Sequence, residues 1–301
     1  PAMATLLSIP HSHYAELGRW ALQHAGINVT EESYLAGAHS GPVAKFRGPH
    51  KNPSCSLGVT GGTRQRDEAS ARSTAIPVAL LPDGRIGLDS WGIVQAALPG
   101  DTSITPELQQ LLDGVLGQAT AWLVWYFALK KADNETAKTI FFCTAGEDSF
   151  ANDCALYDKV LKAKWEERVP HVFGLKPEDF DENVSQVREV FRRVDSILSE
   201  RPFLSGSEFG AADMAFAALS AFILMPPTFG FGAVKRWPKP DDLPLEWQRV
   251  VQEFRATVAG QHALRLYETV RCSAPGKVTL KHNPPEDQRA PPLPQQGVAM
   301  L

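Results

Sequence analysis

Cysteine is scarce in this sequence: four in 301 residues, Cys55, Cys143, Cys154 and Cys272, with no Cys-x-x-Cys pair among them. That excludes a disulfide-stapled scaffold and leaves no zinc cradle; four free thiols in a reducing, cytoplasmic compartment are the expectation. Positive charge shows no excess either. Lys and Arg number 30 against 34 Asp and Glu, a formal charge of -4 without any basic cluster, so no nucleic-acid partner is expected. Long hydrophobic runs are missing. The longest, near Phe216 to Pro227, is too short to span a bilayer, and no membrane partner is expected. The first residues hold no basic segment followed by an apolar core, and Pro1 and Ala2 read as an addition ahead of a native Met3. His39 and His50 lack metal-ligand spacing, and no metal site is expected.

What is there changes character once along the chain. Residues 4–9 form an apolar run with strand character, and residues 14–24 carry Leu17, Trp20, Ala21 and Leu22 at helical spacing. Residues 28–35 read as a second strand. Residues 76–81, the turn Pro82-Asp83-Gly84-Arg85 and residues 86–88 read as a hairpin, because Asp-Gly supplies the positive backbone angle such a turn needs. A helix follows Asp89-Ser90. Between strands, residues 48–73 are rich in Gly, Ser, Arg and Pro without periodicity, an insertion. After the linker 99–103, residues 106–131, 151–169, 181–200, 211–225 and 245–271 all read as helices. The expected domains are an α/β unit over 4–98, an all-helical unit over 104–271 and a Pro-rich irregular tail over 272–301.

Three local patterns carry chemistry. Ser12 stands where the first strand hands over to a helix, whose free N–H groups and partial positive charge favour an anion; the plain alternative is that Ser12 only caps the helix. Ile76-Pro77 precedes a strand, where a cis proline would leave backbone groups free for an extended peptide, and a trans proline opening an edge strand is the alternative. Asp89-Ser90 can cap a helix or help grip a carboxylate. His11 and His13 flank Ser12, but adjacent histidines make no triad, and there is no Gly-x-Ser-x-Gly elbow.

Taken in order, these patterns resemble the glutathione-binding domain of glutathione transferases of the cytosolic type. Ser12, seven residues before Arg19, is similar in position to the serine of zeta-class and the cysteine of omega-class enzymes. Ile76-Pro77 resembles the family's cis-proline pair, and Asp89-Ser90 its acidic-Ser pair. Residues 201–213 resemble an Arg-Pro-Tyr-Leu-x-Gly…Ser/Thr-x-x-Asp motif, with Gly210 at the usual capping hydroxyl, and residues 255–271 look like the last helix of bacterial and algal members. The resemblance implies a thioredoxin-like N-terminal domain followed by an all-helical domain, with glutathione as co-substrate. It implies Ser12 as the catalytic residue and Ile76, Pro77, Asp89 and Ser90 as glutathione-binding, with Lys45, Arg47 or an insertion residue holding the glycine end. It also implies a small hydrophobic electrophile against Tyr14, Trp122, Trp125 and Tyr126, and a homodimer. Alternatives left open are a non-catalytic ligand- or partner-binding protein, or a glutathione-dependent isomerase, ether-cleaving enzyme or peroxidase.

Overall fold

The structure, a computed structural model, describes residues 3–9, 11–36, 39–47, 56–57 and 76–282. The N-terminal half keeps the expected strands and helices and adds two elements that were not anticipated, α2 and β3: β1 (Met3–Ser8), α1 (His13–His24), β2 (Asn28–Ser33), α2 (Ser40–Arg47), β3 (Ser56–Leu57), β4 (Val78–Leu80), β5 (Ile86–Gly87) and α3 (Ser90–Ala97). The strands form one mixed sheet in the order β3-β5-β4-β1-β2-β6. β1 pairs parallel to β2 and antiparallel to β4, and β4 pairs antiparallel to β5. The β4–β5 hairpin turns at Gly84, whose φ of 86° suits glycine best. This is the thioredoxin-like arrangement. The insertion 48–73 lies outside the described residues apart from β3, as does Cys55.

β6 (Val278–His282) corrects one expectation. It lies in the tail expected to be irregular, yet it pairs in register with all but the first residue of β2. Val278, Thr279, Leu280 and Lys281 do alternate apolar and polar, but the run is short and its surroundings are rich in proline, so the alternation is easily passed over. The edge of β2 supplies the pairing, and the chain is delivered there by bonds from Gly276 N–H to the Gln23 carbonyl (3.0 Å) and from Lys277 N–H to Asn28 Oδ1 (3.0 Å).

The helical half runs through α4 (Pro106–Gln109), π1 (Gln110–Gly117), α5 (Gln118–Tyr126), π2 (Phe127–Lys131), α6 (Asn134–Phe141), α7 (Glu147–Leu156), π3 (Tyr157–Leu161) and α8 (Lys162–Phe173). It continues as α9 (Phe180–Glu200), α10 (Ala211–Leu219), α11 (Ala221–Leu224), α12 (Leu245–Arg255), α13 (Val258–Leu266) and π4 (Tyr267–Arg271). α6 was not anticipated, and two of the expected helices are broken, at Ser220 and at Ala256-Thr257. The longest apolar run falls on the end of α10 and on α11, whose residues are all buried; a helix apolar on every side belongs inside a core. No helix among the described residues is long and apolar enough to cross a membrane.

α1 joins the halves. Its Leu22 packs with Ala4, Leu6, Ile93 and Ala96 on the sheet side, while Leu17, Trp20 and Ala21 belong to the core of the helical half. The other face of the sheet buries Leu7, Val78 and Ile86 with Tyr34 and Val43.

The start of α10 shows how the halves are stitched. Gly210 occupies its N-cap and has no hydroxyl to offer. The linker supplies the acceptors instead: Ala211 N–H donates to Asp101 Oδ2 (2.8 Å) and Ala212 N–H to Ser103 Oγ (3.1 Å). Asp213 closes the box from Gly210 N–H (3.3 Å) and also accepts from Leu204 N–H (2.7 Å) and Ser205 Oγ (2.7 Å).

Candidate active site

Strand directions decide what meets. β1 and β5 both run opposite to β4, so they run the same way, and the helices that follow them, α1 and α3, begin at the same edge of the sheet. Val78, the first residue of β4, pairs with Leu7 near the end of β1, which brings Pro77 to that edge too. β2, parallel to β1, ends there and leads to α2. Ser12, Pro77 and Asp89 therefore gather beyond the carboxyl ends of parallel strands, the usual place for a ligand on such a sheet. β1 and β5 are two strands apart, about 10 Å, the span of about three extended residues.

Ser12 has extended backbone angles and caps α1. Its Oγ accepts from Ala15 N–H at 3.2 Å, and its carbonyl accepts from Glu16 N–H at 3.0 Å. It is half-buried. Capping engages a lone pair of the hydroxyl and leaves its hydrogen to be donated elsewhere, so the capping role and a thiolate-binding role are compatible. Asp89 caps α3 in the same way, accepting from Gly92 N–H at 2.7 Å, and Ser90 is buried beside it. The Ile76–Pro77 bond is cis; Pro77 is buried and Ile76 half-buried. Lys45 is exposed on α2, and Arg47 closes that helix.

Of the expected substrate wall, Tyr14 is half-buried at the start of α1. Trp122, Trp125 and Tyr126 are interior residues of α5. Trp122 stacks on Tyr126 at 4.9 Å and donates its indole N–H to the Gly174 carbonyl at 3.2 Å. Trp125 packs edge-on against Trp165 and against His11, the residue before Ser12.

No protein-family model matches the chain, and no curated protein matches it in sequence. Solved structures do. The chain is similar to glutathione transferases. One, from Ceriporiopsis subvermispora, was solved in complex with glutathione; it is 17% identical, with a TM-score of 0.45 over 90% of this chain and 97% of that one. Another, from Methylobacillus flagellatus with glutathione bound, is 15% identical, with a TM-score of 0.41 over 86% and 98%. The beta-etherase LigF of Sphingobium is 15% identical, with a TM-score of 0.35 over 87% and 98%. At these scores the likeness carries no argument about ligand or reaction.

Sequence reasoning missed the charge cluster beneath the site. Arg19 donates to Glu31 through Nε and Nη2, both at 2.6 Å, and to Glu16 through Nη1 at 2.5 Å. Arg271, at the end of π4, donates from Nε to Glu16 Oε1 at 2.8 Å, and Ser8 Oγ donates to Glu31 at 2.5 Å. The four charged side chains are fully buried. Burial alone would lower the pKa of Arg19, but Glu31 and then Glu16 raise it above the ordinary arginine value. Two arginines and two glutamates balance, and the cluster ties β1, α1, β2 and the last helical turn together. The one available signal was the in-out alternation of β2, which points Glu31 inward with Val29 and Ser33.

Cys143, Cys154 and Cys272 are free thiols. Burial pushes the Cys143 thiol far up and that of Cys154 up as well, so neither offers a ready thiolate. A cavity of about 480 Å³ lies at the opposite end of α1, lined by His24, Asp101 and Phe209 among others; it is too far along α1 to serve Ser12.

Proposed function

We propose that the chain is a glutathione transferase. Glutathione lies extended along the edge beside Pro77, with its backbone paired to Ile76 and its γ-glutamyl carboxylate at the start of α3 beside Asp89 and Ser90. Lys45 or Arg47 holds the glycine carboxylate, and the thiol meets Ser12. The observation that carries this reading is the half-buried Ser12 hydroxyl at one helix start, with a second helix start about one tripeptide length away on the same edge.

The chemistry follows from the charge. A free thiol titrates near 8.5, and lowering that by about two units takes about 2.7 kcal/mol of preference for the thiolate. A hydroxyl donor and the positive end of a helix together supply a preference of that order. The thiol proton leaves to solvent. The sulfur lone pair then forms a bond to the electrophilic carbon, and the displaced group departs with its electron pair. Tyr14, half-buried at the start of α1, forms the apolar side for the electrophile, which is small and hydrophobic; Trp122, Trp125 and Tyr126 are buried in the helical core and are left out of that side. A homodimer in the cytoplasm is part of the same reading, and sedimentation checks the first half of it.

Ser12→Ala is the test. Turnover with a generic aryl halide should fall by about 10- to 100-fold, the loss of one charge-assisted hydrogen bond, while glutathione affinity by calorimetry changes little. Wild-type protein that fails to bind glutathione, or a variant with unchanged turnover, removes the reading.

A further inference from the structure

The residues on either side of Ser12 both leave the N-terminal half. His11 is 4% exposed and lodges edge-on between Trp125 (5.3 Å) and Phe141 (5.2 Å). His13 is 2% exposed. Its Nε2 lies 3.0 Å from the Gly117 carbonyl oxygen, and its ring packs on Phe222 at 4.8 Å. Gly117 closes π1, and Phe222 lies on α11, so with Trp125 on α5 and Phe141 on α6 the two imidazoles reach four elements of the helical half. A carbonyl only accepts, so His13 carries its proton on Nε2. Burial keeps both rings neutral, with pKa values pushed down to about 4 for His11 and about 3 for His13.

We infer that His11 and His13 are positioning residues that clamp Ser12 at the junction, so that the reactivity of a thiol held by Ser12 depends on how the helical half docks on α1. This rests on the reading of Ser12 given above. A helix start frays unless it is tied down, and a donor displaced by about 1 Å can lose about a hundredfold in rate. With both neighbours anchored across the junction, the Ser12 backbone has little freedom to turn. The hydroxyl is left as the half-exposed group between two buried ones.

The experiment uses the full chain with His13→Leu, which removes the donor, and His13→Gln, which keeps an N–H. Two readouts are taken: amide hydrogen exchange at Ala15 and Glu16 in the first turn of α1, and the pKa of bound glutathione from the pH–rate profile. In the Leu variant, exchange in that turn should rise by about tenfold, the equilibrium cost of one lost hydrogen bond. The thiol pKa should move toward its free value and kcat should fall, with KM for glutathione nearly unchanged. The Gln variant should recover most of each change. A folded Leu variant with unchanged exchange, or a Gln variant that loses as much as Leu, overturns the clamp. If wild-type protein ionises no glutathione, the functional reading fails by itself, and the exchange measurement still decides the clamp. Should His13→Leu fail to fold, His11→Ala, which removes the ring lodged between Trp125 and Phe141, is read by the same two measurements, and unchanged exchange in the first turn of α1 again overturns the clamp.

Discussion

Single residues at the junction set how strongly this chain responds to mutation and to acid. Arg19 and Arg271 are fully buried against Glu16 and Glu31, so removing one arginine leaves a carboxylate charged and unpaired in the interior. Arg19→Met should cost about 3–5 kcal/mol, read as a lower urea midpoint, whereas breaking a surface pair such as Arg192 with Glu189 should leave the midpoint almost unmoved. The histidines set the acid limit. Folded His11 and His13 stay neutral down to about pH 4 and pH 3, while the unfolded chain binds protons near pH 6.5. The unfolded state therefore holds more protons below pH 6.5, and stability falls as pH falls from there toward 4. Each histidine adds up to about 1.4 kcal/mol per pH unit. Urea midpoints between pH 4 and 7 check this, and His13→Gln should flatten the slope by about half.

Elements are held by partners distant in sequence. α10 is capped by the linker, so Asp101→Ala and Ser103→Ala should each destabilise by about 0.5–2 kcal/mol, although neither lies in a helix. Thermal melts of both variants and of the double variant check the pair. β6 depends on a close approach: a Cβ at Gly276 would meet the Ile27 carbonyl oxygen and the backbone of Gln23. Gly276→Val should push the strand away and speed exchange at Val29 N–H, which donates to the Lys277 carbonyl at 2.7 Å. Unchanged exchange there would show that β6 docks without that contact.

At the scale of the whole molecule, α1 belongs to both halves, so the sheet and the helices should unfold together. One calorimetric transition, with matching van't Hoff and measured enthalpies, is the expected outcome; two separated transitions would mean that the halves melt independently. The local signals were legible because they depend on neighbours in sequence. Ser12, Asp89 and the Asp-Gly turn each announce a helix start or a hairpin through their own backbone chemistry, and the apolar spacing of Leu17, Trp20 and Ala21 announces a buried helix face. From these the α/β half and the helical half could be read, whereas the candidate edge came only through the resemblance of their order to a known family. Tertiary structure alone decided the rest. Arg271 meets Glu16 across 255 residues, and His13 meets Gly117 across 104. β6 becomes a strand because β2 offers it an edge. Such pairings depend on which surfaces the folded chain brings together; the alternation of β2 marks Glu31 as inward, but no pattern in the residues names the partner that a buried charge or imidazole will meet.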